Sequence, residues 1–263
     1  MTTRRALLAT AAVSPLLAIR TRAQEATPAT PFSDDTGATT LFEITVPANA
    51  MPPMSRGAAA FQSMIAEPNS AGVYSGNSCC PGILVLYIIN GTFTVQPDLA
   101  SITVYRAGMT ADPEVVDGGT SAELGPGDLV FVKKRAVVEF SNPAPTPVTF
   151  LTWQLEVESY QSDPARLPLP EGWSRDGRNA DRTFDLSLPR ADATLRLERV
   201  TITGTEVVPA ASGSLVQVVE VDSQGSPRHT QLADGSVAGI REGSLTLYVL
   251  TLLPGSAPGT PTP

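Results

Sequence analysis

A chain of 263 residues, 42% hydrophobic and 17% charged, is long enough for one large or two modest packed domains and too apolar to stay disordered. Its formal charge of −8 repels phosphate backbones and anionic lipid, which argues against nucleic acid as a partner and against electrostatic membrane binding. With 21 glycines, 24 prolines and only short apolar runs, the composition suits many strands joined by turns better than helices.

Residues 1–23 read as a signal peptide. Arg4 and Arg5 precede an apolar stretch from Ala6 to Ile19, which closes on small residues around Ala23. The arginine pair, with Arg20 and Arg22 beyond the apolar stretch, points to the twin-arginine type of export, with ordinary secretion as the alternative. Either route places the mature chain outside the cytoplasm, with no stable membrane insertion, and removes four positive charges, taking −8 to −12. The apolar stretch is shorter than the roughly 20 residues a spanning helix needs. Residues 24–40, "QEATPATPFSDDTGATT", are too poor in apolar side chains to fold and read as a flexible linker. The tail at 256–263 matches it in composition.

From 41 onward the signals are those of strands: "LFEITVP" (41–47) alternates, "ILVLYII" (83–89) is a continuous apolar run, and "TFTV" (92–95), "ITVY" (102–105), "DLVFV" (128–132), "VVEF" (137–140) and "VTFLTWQLEVE" (148–158) follow. The best helix candidate, "GAAAFQSMIAEPN" (57–69), is closely bracketed by Gly, Ser and Pro, so a single turn or an irregular strand stays open as well. Asn90-Gly91 predicts a two-residue hairpin that pairs the strands on either side of it directly. "ELGPGDL" (123–129) predicts a second sharp corner. The basic cluster Lys133-Lys134-Arg135 holds both lysines of the chain and reads as a solvated turn, with Arg135 facing an anionic ligand as the other possibility.

The stretch "GDLVFVKKRAVVEFSN" (127–142) resembles the second sequence motif of the cupins, small double-stranded β-helix barrels. Gly127, five residues, Lys133 to Arg135 in the place of Pro-x-Gly, two residues, Val138 in the place of histidine, three residues and Asn142 keep the family spacing. The first motif has a matching register ending on Gly91. In it Ser78 and Cys80 hold the two histidine slots and Leu84 the glutamate slot. The resemblance covers 41–158. It implies an all-β, jelly-roll barrel at 41–160, a connecting segment at 161–193 and a second, incomplete cupin-like unit at 194–255, with extra strands that complete the first barrel or pair across a dimer as the alternative. In that second unit "LRLERVTITGTEVVPA" (195–210) echoes the strand at 41–47.

The chemistry such a barrel usually carries has no donors here. A divalent ion needs several converging nitrogen and oxygen ligands, and two of the four slots are aliphatic. The one histidine, His229, lies outside the matched region. The expectation is therefore no metal and no cofactor, with no catalytic residue identified. A small-molecule ligand is a possible partner, in a pocket lined by Ser78, Cys80, Leu84, Val138 and Phe140, and a homodimer is a possible assembly. A non-catalytic binding or structural module fits best; the alternative is a metal-independent, isomerase-like or epimerase-like enzyme. Adjacent Cys79 and Cys80 leave four readings open: two buried thiols, a vicinal disulfide, a redox or thiolate-metal role, or a bridge to another chain.

Overall fold

The computed structural model describes residues 38–51, 56–75, 82–108, 112–157, 169–176, 181–187, 191–203, 207–208, 215–220, 229–231, 237–239 and 244–255. Among these the only regular element is the β-strand, and no helix is long and apolar enough to cross a membrane. The strands are β1 (Ala38–Val46), β2 (Arg56–Ala66), β3 (Ser70–Ser75), β4 (Ile83–Asn90), β5 (Phe93–Pro97), β6 (Ile102–Tyr105), β7 (Glu114–Val116), β8 (Ala122–Leu124), β9 (Leu129–Val132) and β10 (Val137–Asn142). They continue as β11 (Val148–Val157), β12 (Trp173–Arg175), β13 (Asp181–Ser187), β14 (Ala193–Thr203), β15 (Val207–Val208), β16 (Leu215–Glu220), β17 (His229–Gln231), β18 (Val237–Gly239) and β19 (Ser244–Pro254). Every pairing is antiparallel.

Two sheets form the first barrel. The larger runs β12-β2-β11-β4-β9-β6-β7, with β13 also paired to β2, and the smaller runs β3-β10-β5-β8. From β2 to β11 the chain alternates between the sheets, apart from the step from β6 to β7 within the larger one, and this is the connectivity of a jelly roll. Between the sheets lies one apolar core, to which the larger sheet contributes Leu84, Leu86, Val130 and Phe150, and the smaller contributes Phe93, Val95, Val138 and Phe140. The other face of the larger sheet is apolar too. Phe61, Val85, Leu151 and Trp153 pack there against Ile44, Leu195, Leu197 and Leu250 of a third sheet, β1-β14-β19-β16. This two-sided burial is why β4 reads as an unbroken apolar run. The third sheet has its own second apolar face, with Val200, Val216, Val218, Leu247 and Val249. A short sheet, β15-β18-β17, completes the strand inventory.

The two halves exchange strands. The sequence predicts 41–47 as the opening of the first barrel, but β1 pairs along its length with β14 in the third sheet. The stretch that echoes it, 195–210, begins inside its direct neighbour. Conversely, β12 and β13 lie in what the sequence presents as a connecting segment and both pair with β2 of the first barrel.

The structure decides three other local readings, and overturns the second of them. Of the readings left open for 57–69, residues 57–66 take the strand: β2 has β11 on one edge and β12 and β13 on the other, so its backbone groups are paired across the sheet. That tertiary pairing outweighs the helix propensity of Gly57-Ala58-Ala59-Ala60 and the residues after it. Asn90-Gly91 is not a hairpin. β4 pairs with β11 and β9, whereas β5 pairs with β10 and β8 in the opposite sheet. Only Gly91 has positive φ (+88°), where a type I′ turn requires it at both central residues. The pair is a corner between sheets. Finally, the tight turn of the second motif survives the loss of its glycine. Arg135 itself takes the left-handed conformation (φ +69°), and the Ala136 amide donates to the Lys133 carbonyl at 3.3 Å. Lys133 and Arg135 are exposed, as expected of a solvated turn. Because β-branching disfavours positive φ, Arg135→Val should cost about 1–2 kcal/mol while Arg135→Gly should be neutral or stabilising. Urea denaturation of both variants checks this, and equal effects would contradict the turn geometry.

Candidate functional site

The sequence corner at 123–129 and the end of the second motif are structural fasteners. Gly127 has φ +89°, and its amide donates to the Ile88 carbonyl at 2.8 Å. The Asp128 carboxylate accepts from the Ala107 amide (2.8 Å), the Gly125 amide (3.0 Å) and Arg106 Nη1 (2.8 Å). Arg106 also pairs with Glu114 at 2.7 Å. Its partial burial works against the charge, yet these two carboxylates keep the guanidinium above its usual range. Asn142 is fully buried. Its Nδ2 donates to the carbonyls of Ala66 (3.0 Å) and Thr146 (2.9 Å), while its Oδ1 accepts from the Ala144 amide (3.0 Å). One amide thus ties the end of β2 to the β10–β11 loop.

The slots between those fasteners hold core. Leu84 and Val138, in two of the metal-ligand positions of the resemblance, are 3% and 0% exposed, and Phe140 is 2% exposed. All three belong to the barrel's apolar cluster. Phe93 sits beside Phe140 (ring centroids 6.0 Å), Phe150 (5.1 Å) and Trp173 (5.7 Å), and fills this interior with stacked and tilted rings. Aliphatic side chains offer no donor, so these two positions do not fit a metal ion. Phe140, expected to line a pocket, packs instead as core. Ser78, Cys79 and Cys80 lie outside the described residues. The side chain of His229 does too, although its backbone begins β17. Among the described residues no three of His, Cys, Asp and Glu converge as a metal site.

Alternation along β2 and β11 places a few polar side chains on the barrel's inner face as well. Gln62 and Thr152 are register partners, 6% and 8% exposed, on the same side as Met64 and Phe150. Gln62 Oε1 accepts from Arg175 Nε at 3.3 Å, while its Nε2 is buried without a partner. In the layer between the larger barrel sheet and the third sheet, Trp153 Nε1 donates to Gln217 Oε1 at 2.7 Å, and Gln217 Nε2 donates to the Ala59 carbonyl at 3.2 Å. A small, mainly apolar cavity of about 10 Å³ lies there, lined by Phe42, Val85, Tyr87, Leu197 and Leu250 among others, with room for no more than about one water. Burial, and next the neighbouring Tyr248, raises the Tyr87 phenol above its usual range.

Another polar group is on the second face of the third sheet, where sequence reasoning placed nothing. Arg196 on β14 stands opposite Glu43 of β1 and Thr251 of β19, and two residues on, Glu198 stands opposite Thr40 and Val249. The Arg196 guanidinium pairs with Glu43 through Nη2 (2.6 Å) and Nε (2.7 Å). Glu198 is 3% exposed and accepts one long bond from Thr40 Oγ1 at 3.5 Å. Arg196 Nη1, Glu198 Oε2 and Thr251 Oγ1 are all buried without a hydrogen-bond partner. The sequence signal was available in "TLRLERVTI", where Arg196 and Glu198 alternate with leucines. It was overlooked because the alternation looks like a solvated strand face.

Burial lifts the Glu198 carboxyl above its ordinary range. Arg196 and Thr40 pull it back, and Glu43 adds to the rise. A carboxyl whose folded-state pKa stands above the unfolded one stabilises the fold fully while protonated, below the unfolded value near about pH 4, and loses that contribution as pH rises through the folded pKa. Glu198→Gln keeps the neutral shape, so it should gain stability over the parent at neutral pH and lose that advantage on acidification. Thermal melts of both proteins across this range check the sign, and a pH-independent difference contradicts it.

No family model matches the chain, and no curated protein does. Among solved structures it is similar to one described as a glyoxylate-induced protein from Pseudomonas aeruginosa, at 12% identity over 84% of this chain and 92% of that one, with a TM-score of 0.35. The coconut allergen cocosin matches at 12% identity over 84% and 86%, with a TM-score of 0.33. YhaK from Escherichia coli matches at 12% over 75% and 86%, with a TM-score of 0.28. At such values likeness decides nothing about this chain. Its fold rests on its own strand order, two-sheet core and antiparallel pairing.

Proposed function

We propose that this is an exported protein of the cupin superfamily in which the first barrel is kept as architecture, and that it works as a non-catalytic binding or structural module. The observation that carries the reading is the burial of Leu84 and Val138, the slots where the family resemblance would place metal ligands, inside a closed apolar core. The parts of the motif that remain, Asp128 and Asn142, spend their hydrogen-bonding capacity on holding loops together. A barrel so filled has no group poised to activate water or oxygen at those slots. The arginine pair at Arg4-Arg5 supports export, and the acidic mature chain argues against nucleic acid as a partner.

Elemental analysis of the mature protein, purified after growth with iron, manganese, nickel and zinc, tests the reading. The expected result is well below one ion per chain. A stoichiometric transition metal that disappears on Cys80→Ala would overturn it. Export is tested separately: replacing Arg4 and Arg5 by lysine should strand the precursor in the cytoplasm, and unaltered export would reject the twin-arginine route.

A further inference from the structure

Residues 169–176 close the seam between the two sheets of the first barrel. β12 is a three-residue strand at the edge of the larger sheet, and its Trp173, Ser174 and Arg175 pair with Ala66, Ile65 and Met64 of β2. The Gly172 carbonyl accepts from the Glu67 amide at 2.8 Å, the Asp176 amide donates to the Ser63 carbonyl at 2.9 Å, and Arg175 Nε reaches Gln62 Oε1 at 3.3 Å. The Trp173 ring spans the seam, meeting Phe150 of the larger sheet at 5.3 Å and Phe93 of the smaller at 5.7 Å. Gly72 of β3 makes room for it, since a Cβ there would stand 2.6 Å from Pro170 Cγ and 2.9 Å from Trp173 Cζ2. Yet none of these eight residues is buried: Glu171, Gly172 and Ser174 are exposed and the others only half-buried.

The chain's two tryptophans differ in the state of their N–H groups. Trp153 is fully buried and donates to Gln217 at 2.7 Å, whereas Trp173 Nε1 is buried without a partner. A buried donor left unpaired penalises the closed position, and withdrawal of the ring into water relieves that penalty. Short edge pairing, the lack of a buried residue and an unpaired donor are together the marks of a segment that opens before the fold as a whole does. The surface beneath it is apolar and lined by rings: Phe93, Phe150, Met64 and Ala66 belong to one cluster. The polar side chains on the same inner face, Gln62 and Thr152, carry no charge.

We propose that residues 169–176 are a detachable plug, and that its opening admits a flat, uncharged aromatic ring, which takes the place of the Trp173 indole beside Phe93 and Phe150. The closed form has no room for such a ring, so the small open fraction lowers the apparent affinity in proportion. This gives the binding reading of the first barrel a ligand class and rests on it; the metal analysis above does not sense the plug, so the two fail separately.

Native-state hydrogen exchange of the two indole N–H groups in the full mature protein, assigned with Trp173→Phe, tests the opening. Indole itself, titrated and read by ligand-observed NMR, tests the seat. The Trp173 N–H should exchange about a hundredfold or more faster than that of Trp153, with a rate that changes little at low urea. Ser174→Pro, at an exposed position of β12 opposite Ile65, weakens the pairing to β2 and leaves the seat unaltered. It should bind indole about tenfold or more tightly than the wild-type protein does. Trp173→Ala, which empties the seat, should bind indole more tightly still and covers the case of a Ser174→Pro protein that fails to fold. Equal protection of the two indoles means that the segment leaves only with global unfolding, and overturns the plug. Indole binding that is not tightened in folded Ser174→Pro, or is absent from Trp173→Ala, overturns the seat.

Discussion

Trp153→Ala is expected to lower stability by about 3–5 kcal/mol from the removed ring and its cavity alone. Trp153 is fully buried between the larger barrel sheet and the third sheet, with Phe61 and Val85 as its register partners. It also donates the hydrogen bond that Gln217 accepts at 2.7 Å across this layer. Removing the indole therefore also takes this buried hydrogen bond away, a further loss of roughly 0.5–1.5 kcal/mol. Against a typical total of about 5–15 kcal/mol, such a loss should shift the urea midpoint strongly and leave the protein only marginally folded. Trp153→Phe keeps much of the apolar volume but not the donor, so it should fall between the two. If Trp153→Ala instead costs less than about 1 kcal/mol, the two sheets do not share this core.

A comparable loss, about 3–5 kcal/mol, is expected for Phe93→Ala, for a different reason. Phe93 is fully buried and its ring meets Phe140, Phe150 and Trp173 at once, so its removal opens the centre of the first barrel. The partners come from β10, β11 and β12, elements of both barrel sheets, which cannot all close over the hole. Chemical denaturation measures the loss, and Phe93→Leu, nearer in volume, should recover a large part of it. A Phe93→Ala protein with unchanged stability would mean that the barrel interior is not packed as described.

How far the sequence discloses this molecule depends on the range of the interaction concerned. β4, β9, β10 and β11 were legible because burial writes itself as apolar runs or alternation over a few residues. The corner at Gly127 and the slots at Leu84 and Val138 were legible through spacing. β2 was ambiguous because Gly-Ala-Ala-Ala carries little strand propensity, and only the partners on both its edges settle its form. Asn90-Gly91 misled for a related reason: a positive φ at glycine serves a corner between sheets as readily as a hairpin, and which one forms depends on β9 and β11 far along the chain. The exchange of β1 and β13 between the halves is a matter of pairing partner, which local pattern does not specify. Arg196 and Glu198 were missed because alternating charge is the ordinary mark of an exposed strand face, whereas here the sheet buries it.

The central claim is that the position where the family resemblance would place a metal-binding histidine is closed apolar core. Val138→His tests it most directly, because Val138 is fully buried beside the other residues of the barrel cluster and is paired with Tyr74 and Pro97 on its flanking strands. The imidazole would have no companion ligand at Leu84, and an unsatisfied polar group in such a site costs roughly 1–3 kcal/mol. Equilibrium denaturation of Val138→His beside the parent, with and without added zinc, should show a loss of that size that zinc does not reverse. Stability equal to the parent, or a loss restored by stoichiometric zinc, would contradict the account.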